Sequence, residues 1–191
     1  MPRPPVTQAD LVLDAAARRL AAHGIAGTTV DDVGEEAGIS RATVYRYVGG
    51  KDEIVRAVIG REATAILEDL AQVITDSTTS DQMIAAVVST SLWAIDSSPV
   101  LFRLSGPDLE ATLQFITTGA AGLEDVVVST LSPLVHDVPG VVADIEAVEV
   151  AIEEVTRFVL AHISTPRSDG SRLDPVAAGE LAGSMFGPLL V

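Results

Sequence analysis

Helical periodicity runs along the whole chain, and it constrains the fold more than any other feature. Alanine, leucine and valine recur at spacings of three and four residues, the period of an amphipathic helix. No runs of alternating apolar and polar residues are joined by hairpin turns such as Asn-Gly. The sequence therefore predicts an all-α fold.

The composition bounds the class of protein. The 191 residues are 48% hydrophobic, enough to bury a substantial core. Cysteine is absent, so the chain offers no disulfide, thiol nucleophile or thiolate metal ligand. The N-terminal segment has no apolar stretch of signal-peptide length, and no stretch reaches about 18 uninterrupted apolar residues. We expect a cytoplasmic protein without a membrane partner.

Catalytic and metal-binding motifs are missing from the sequence. We find no H-E-x-x-H, no P-loop and no G-x-S-x-G. The three histidines, His23, His136 and His162, are scattered without ligand spacing. The sequence predicts a protein that is not an enzyme and that has no metal or other cofactor.

The negative charge is concentrated outside the N-terminal third. Residues 1–56 contain seven Lys/Arg and eight Asp/Glu, a net charge of −1. Residues 57–191 contain five and nineteen, a net charge of −14. A phosphate backbone would be repelled by the second part and tolerated only by the first.

Residues 1–50 predict three short helices. The first runs from residue 8 or 10 to residue 22, and the second begins after Thr29, which Asp32 complements in a capping box. Ser40 is a good N-cap for the third helix, and the turn before it is short and contains Gly38. This arrangement is typical of a helix-turn-helix.

The residue pattern of the third helix predicts a polar outer surface suited to DNA. If Val44 faces the core, the helical period places Val48 on the same side and places Ala42 and Arg46 on the outer side. Small and hydroxyl side chains can contact base edges, arginine can bind guanine, and tyrosine can bond phosphate. An ordinary amphipathic corner, in which the tyrosines cover the core, is the alternative interpretation.

From Leu11 to about Arg56 the chain resembles the DNA-binding domain of the TetR family of bacterial transcriptional regulators. The segments that carry the resemblance are Ala15-Ala16, Gly24, 28–33, 36–40, 43–48 and 51–53. The resemblance implies a dimer that inserts the third helix into the major groove of an operator. It implies DNA contacts by Thr29, Arg41, Ala42, Thr43, Tyr45, Arg46, Tyr47 and Lys51.

Two features depart from the family pattern. Gly49-Gly50 precedes the lysine, and Asp31 lies beside the start of the groove-facing helix. Lys51 itself opens the next helix, where its ammonium group and the backbone N–H groups of the first turn can bind one phosphate.

The resemblance implies that residues 51–191 form a larger helical domain that binds a ligand and dimerises. A long helix from Lys51 to about Ile74 is interrupted by Gly60, which we interpret either as close packing against the first helix or as a flexible joint. Further helices are predicted over 80–96, 100–104, 107–117, 119–134 and 143–163, and from residue 174 or 175 onward.

The ligand and the dimer interface leave weaker signals in the sequence. The middle helices carry the candidate ligand-binding residues Met83, Leu92, Trp93, Asp96, Phe102, Arg103, Gln114, Phe115 and Thr117. The last two helices carry candidate dimer-interface residues, with burial inside one subunit as the alternative: Ile145, Val148, Ile152, Val155, Val159, Leu181 and Met185.

The combined prediction is a ligand-responsive transcriptional regulator. We expect a repressor that binds a palindromic operator as a homodimer and is released by a small apolar effector. Because the chain is so acidic, a helical protein-interaction adaptor with weak or lost DNA binding is the alternative.

Overall fold

The computed structural model describes residues 7–117, 123–165, 168 and 171–191, and over these residues the chain is all-α, as predicted. Its ten described α-helices are α1 (Gln8–His23), α2 (Val30–Ala37), α3 (Arg41–Tyr47), α4 (Lys51–Thr75), α5 (Ser80–Ser97), α6 (Pro99–Ser105), α7 (Leu109–Thr117), α8 (Leu123–His136), α9 (Ile145–Ser164) and α10 (Pro175–Phe186).

The helix bounds agree with the predicted ones to within about two residues wherever both can be compared. α7 begins at Leu109 instead of Pro107, and α9 begins at Ile145 instead of Ala143. The predicted start of the eighth helix at Gly119 lies outside the described residues. α8 is described from Leu123 and continues to His136.

Local capping determines where the N-terminal helices begin. The Thr29 hydroxyl accepts a hydrogen bond from the Asp32 N–H, and the Asp32 carboxylate accepts one from the Thr29 N–H, so the predicted capping box is confirmed. Ser40 caps α3 by accepting from the Thr43 N–H, also as predicted. Gly38 ends α2 in the left-handed conformation, with φ of 69° and ψ of 30°.

The chain divides into two compact units, one formed by Met1–Ala63 with Ser98–Phe115 and the other by Thr64–Ser97 with Ile116–Val191. The division falls inside α4, because the first turns of this helix pack with α1 to α3. The predicted functional boundary between residues 50 and 51 stays a prediction.

The core of the first unit joins the three N-terminal helices to α6. Thirteen residues are buried in it: Val12, Ala15, Ala16, Leu20, Ile25, Val30, Val33, Val44, Ile54, Val55, Val58, Val100 and Leu104. Asp108 adds a polar connection, because its carboxylate accepts a hydrogen bond of 2.7 Å from the Ile25 N–H. A side chain at Gly24 would collide with this carboxylate.

The core of the second unit is built from α5, α8, α9 and α10 together with the end of α4. Three predicted dimer-interface residues, Val148, Ile152 and Val155, lie in this core and are 0%, 8% and 7% exposed. These three side chains are therefore buried within one subunit, which is the alternative to a place in the dimer interface. An apolar stripe on a helix has the same pattern whether its own chain or a second copy covers it.

Gly60 is not a packing glycine. A Cβ atom built on Gly60 would have no atom within 4 Å, so α4 does not need a glycine there to approach another helix. The interpretation as close packing against α1 is wrong, and the interpretation as a joint stays a prediction.

Over the described residues, no single helix is long and apolar enough to cross a membrane. Ser80–Ser97 and Pro99–Ser105 reach the necessary length and hydropathy only when they are counted together across the break between them.

Candidate nucleic-acid interface

α3 is fixed to the first unit by one side and exposes the other. Val44 is fully buried, and Val48 is half-buried against the same core. Ala42 and Arg46 are exposed on the outer side, as the 100° helical period predicts. Since the buried valine fixes the rotation of the helix about its axis, the outer side chains have a defined direction.

Two tyrosines widen this exposed surface. Tyr45 and Tyr47 are 45% and 42% exposed, so neither ring serves mainly to cover the core. The guanidinium carbon of Arg46 lies 4.8 Å from the centre of the Tyr47 ring, a cation–π contact that restrains both side chains. The outer side of α3 therefore presents a stacked arginine and two phenol groups to solvent.

Arg41 is already engaged by neighbouring side chains. Its Nη1 donates to Asp31 Oδ2 at 2.6 Å, and its Nη2 donates to the Tyr45 hydroxyl at 3.3 Å. The guanidinium carbon also lies 5.4 Å from the centre of the Tyr45 ring. The hydrogen bond with Tyr45, followed by the charge of Asp31, raises the pKa of Arg41. Arg41 is thus a permanent cation held beside a carboxylate.

The hydroxyl groups of the two candidate threonines form hydrogen bonds with other side chains of the domain. The Thr29 hydroxyl lies 2.6 Å from Asp32 Oδ2, and the Thr43 hydroxyl lies 2.9 Å from the Ser40 hydroxyl. The Thr29 side-chain hydrogen bond, followed by its backbone hydrogen bond, lowers the pKa of Asp32. Thr29 is exposed and Thr43 is half-buried. A DNA contact by either hydroxyl would have to share it with an existing partner.

The start of α4 combines a cation with a carboxylate. Lys51 is half-exposed, and in the described part of the chain no carboxylate lies within ion-pair distance of it. The Gly50 N–H donates to Glu53 Oε2 at 3.0 Å. A phosphate bound at this helix end by Lys51 would have to share the end with the Glu53 carboxylate.

The glycine pair before Lys51 has a structural reason that the sequence did not give. Gly49 has φ of 113°, a backbone conformation that L side chains rarely adopt. A Cβ atom there would also approach Cβ and Cγ of Glu53 to 3.0 Å. Gly50 is crowded by the same glutamate, 3.0 Å from Oε2. The tight connection between α3 and α4 therefore requires glycine at position 49, whereas the carboxylate beside Gly50 is the movable end of a side chain.

The candidate ligand residues fall into both compact units. Met83, Leu92, Trp93 and Asp96 belong to the second unit, where Met83 and Leu92 are buried in the core and Trp93 is 57% exposed. The first unit contains Phe102, Arg103, Gln114 and Phe115, and the side chain of Thr117 lies outside the described residues. These assignments stay predictions.

Part of the candidate dimer surface is exposed in the single chain. Ile145 is 47%, Leu181 is 44% and Met185 is 52% exposed, while Val159 is half-buried. Large apolar side chains at this exposure are available to a partner, which the buried Val148, Ile152 and Val155 are not.

Comparison with known proteins supports the same assignment of the N-terminal residues. Residues 12–58 match the family model described as bacterial regulatory proteins, tetR family. The regulator BetI of Brucella canis is 31% identical over 83 residues, 44% of this chain and 42% of BetI. The chain thus spans about two fifths of the length of the BetI proteins that it matches.

Solved structures are similar over nearly the whole chain. The TetR family repressor AlkX from a Dietzia strain, implicated in biodegradation of n-alkanes, has a TM-score of 0.71 at 21% identity, covering 98% of this chain and 97% of AlkX. AibR in complex with isovaleryl coenzyme A and operator DNA has a TM-score of 0.59 at 15% identity, covering 95% and 99%. At these identities the likeness establishes the fold.

An all-α protein with an N-terminal helix-turn-helix is the class that the fold, the exposed α3 and these likenesses define. Residues 12–58 match the TetR family, as the sequence resemblance predicted for Leu11 to about Arg56. The relatives named above are regulators and not enzymes, which agrees with the prediction that this chain is not an enzyme.

Proposed function

We propose that the protein is a ligand-responsive transcriptional repressor that binds double-stranded operator DNA as a homodimer. The observation that carries the proposal is the exposed side of α3, where Ala42, Arg46 and Tyr47 face solvent on a helix fixed by the buried Val44. This side lies in the TetR-family domain, which is also the part of the chain with little net charge.

The surface suits two kinds of DNA contact. Arg46 can donate to guanine O6 and N7 in the major groove, and Ala42 can pack against a thymine methyl group. Tyr45, Tyr47 and Lys51 can bind phosphate, which positions the helix without selecting a sequence. Thr29, Thr43 and Arg41 are further candidate contacts, each of which now has an internal partner.

A homodimer would call for an operator with two-fold symmetry. In a symmetric dimer the two α3 helices read related half-sites one or more helical turns apart, so we expect a near-palindromic operator. The exposed Leu181, Met185 and Ile145 support an interface built from the last two helices.

The effector that we propose is a small apolar molecule. The aliphatic and aromatic residues of the middle helices support an apolar binding site, and the isovaleryl coenzyme A in the AibR complex supports a ligand with an acyl chain. Effector binding would release the operator.

Selection of duplexes from a random DNA library tests the DNA-binding proposal. We expect the wild-type protein to enrich a near-palindrome. Arg46→Ala is expected to lose about 1–3 kcal/mol of discrimination at the base that Arg46 reads, with little change at the other positions. Failure to enrich any sequence would support the adaptor, the alternative that the −14 net charge of residues 57–191 favours.

Sedimentation equilibrium tests the dimer separately. Met185→Glu introduces a charge at a predicted interface residue that is 52% exposed, and it is expected to convert a wild-type dimer to a monomer. Val142→Glu introduces the same charge at an apolar residue that is 75% exposed and outside the predicted interface, and it should leave the dimer intact. A monomeric wild-type protein, or equal dissociation by both variants, would contradict the interface.

A further inference from the structure

The ion pair between Asp31 and Arg41 bridges the two helices of the helix-turn-helix. Asp31 lies in the first turn of α2, and Arg41 is the first residue of α3. Arg41 Nη1 lies 2.6 Å from Asp31 Oδ2, and the two side chains are 58% and 61% exposed. The carboxylate is therefore on the solvent-facing surface that carries the candidate DNA contacts Thr29 and Arg41.

Among the cations of this surface, Arg41 is the one neutralised by a carboxylate. Within residues 7–117, neither Arg46 nor Lys51 has an acidic side chain within ion-pair distance. The other ion pairs of α2 connect it to α1, since Arg18 pairs with Glu36 and Arg19 pairs with Asp32. Those pairs leave α3 untouched.

Arg41 also has a partner within α3. The Tyr45 hydroxyl accepts from Nη2, and the Tyr45 ring lies 5.4 Å from the guanidinium carbon, so Asp31 is one of two side chains that hold Arg41. What Asp31 adds is a negative charge. A phosphate that approached Arg41 would meet a guanidinium group whose charge is already paired, and the carboxylate would lie well within the Debye length of about 10 Å at 0.1 M salt.

We infer that Asp31 is a built-in competitor of DNA phosphate that limits the affinity of the domain for any duplex. The inference rests on the proposed DNA-binding function and adds to it an autoinhibitory contact. Each phosphate that a protein neutralises contributes a slope of about 0.9 to the dependence of log affinity on log salt. Holding Arg41 on Asp31 removes up to one such contact, and the carboxylate also repels the backbone.

Asp31→Asn tests this inference because it removes the charge and keeps the shape of the side chain. At 100 mM salt we expect the variant to bind a random-sequence duplex roughly three- to tenfold more tightly than wild type, with a salt slope steeper by about 0.9. Asp31→Ser, a second neutral residue suited to a helix N-terminus, should give the same gain. Fluorescence anisotropy of a labelled duplex at 50–300 mM salt measures both quantities, and circular dichroism checks the fold.

Glu36→Gln is the matched control. It removes one negative charge from the same helix, but from an ion pair with Arg18 at 2.8 Å that does not involve α3. We expect its affinity to stay within about twofold of wild type, because screening weakens a charge that faces α1. In an Arg41→Ala background, Asp31→Asn should lose most of its gain, since no guanidinium group is left to release.

The outcomes separate the inference from the proposed function. Unchanged or weaker binding by Asp31→Asn, an equal gain from Glu36→Gln, or an undiminished gain in the Arg41→Ala background would overturn the competitor role. Absence of DNA binding by wild type and by every variant at 20 mM salt would instead overturn the proposed function itself, and the inference with it.

Discussion

Three glycines of the first unit should respond to alanine in three different ways, which tests its local geometry. At Gly60, inside α4, an added Cβ meets no atom within 4 Å. Alanine there should stabilise the protein by about 0.5–1 kcal/mol, because glycine is the poorer helix former. At Gly38 the added Cβ also meets no atom, but φ is +69°. Left-handed backbone costs alanine about 1–2 kcal/mol, so Gly38→Ala should destabilise by about 1 kcal/mol after the gain in unfolded-state entropy.

Gly49 combines backbone strain with crowding. Its φ is +113°, and its Cβ would lie 3.0 Å from both Cβ and Cγ of Glu53, atoms near the backbone that cannot swing away freely. Adding about 1–3 kcal/mol for overpacking to the conformational strain makes Gly49→Ala the most harmful of the three. The Gly49→Ala/Glu53→Ala double variant should recover only the crowding that comes from Cγ of Glu53, and it should keep the contact with Cβ and the backbone strain.

Thermal unfolding followed by circular dichroism measures this order. For a chain of 150–250 residues, 1 kcal/mol corresponds to about 2–4 °C in Tm. We expect Gly60→Ala to unfold a few degrees above wild type, Gly38→Ala about 2–4 °C below it, and Gly49→Ala at least twice as far below. A destabilising Gly60→Ala, or a Gly49→Ala no worse than Gly38→Ala, would refute the reasoning about backbone conformation and space.

Two further predictions concern titration and packing. Hydrogen bonds with Thr29 lower the pKa of Asp32 below 3.8, so its ionised form stabilises the fold at pH values above this and the contribution is lost as pH falls through the folded-state pKa. The Tm difference between wild type and Asp32→Asn should therefore have its largest value at pH 6 and shrink below pH 4. A difference that stays constant from pH 6 to pH 2.5 would contradict this role of Asp32. Gly179→Ala should lower the urea midpoint by the equivalent of about 1–3 kcal/mol, because its Cβ would collide with the Ala85 carbonyl oxygen and the Ser89 hydroxyl, whereas an unchanged midpoint would show that α10 can move away from α5.

The parts of the structure that depend on near neighbours could be predicted from the sequence. The caps at Thr29 and Ser40 use groups three residues away, so their pattern is legible in the chain. The outward direction of Ala42 and Arg46 follows from one buried valine and the helical period. These two kinds of local rule account for the starts of α2 and α3 and for the side of α3 that faces solvent.

Contacts between distant segments could not be predicted in this way. Asp108 binds the Ile25 N–H across 83 positions of sequence, and nothing near either residue indicates the other. The pairing of Asp31 with Arg41 depends on the angle between two helices. Val148, Ile152 and Val155 have the apolar pattern of an interface, yet the helices of their own chain cover them.

The salt dependence of DNA affinity tests the central claim most directly. Log affinity of the wild-type protein for a duplex should fall linearly with log salt, and Lys51→Ala should weaken binding to all sequences and reduce the slope by about one phosphate contact. An affinity indifferent to salt, or a Lys51→Ala variant that binds DNA with the wild-type slope and strength, would contradict the assignment of α3 and the start of α4 as the DNA-binding surface.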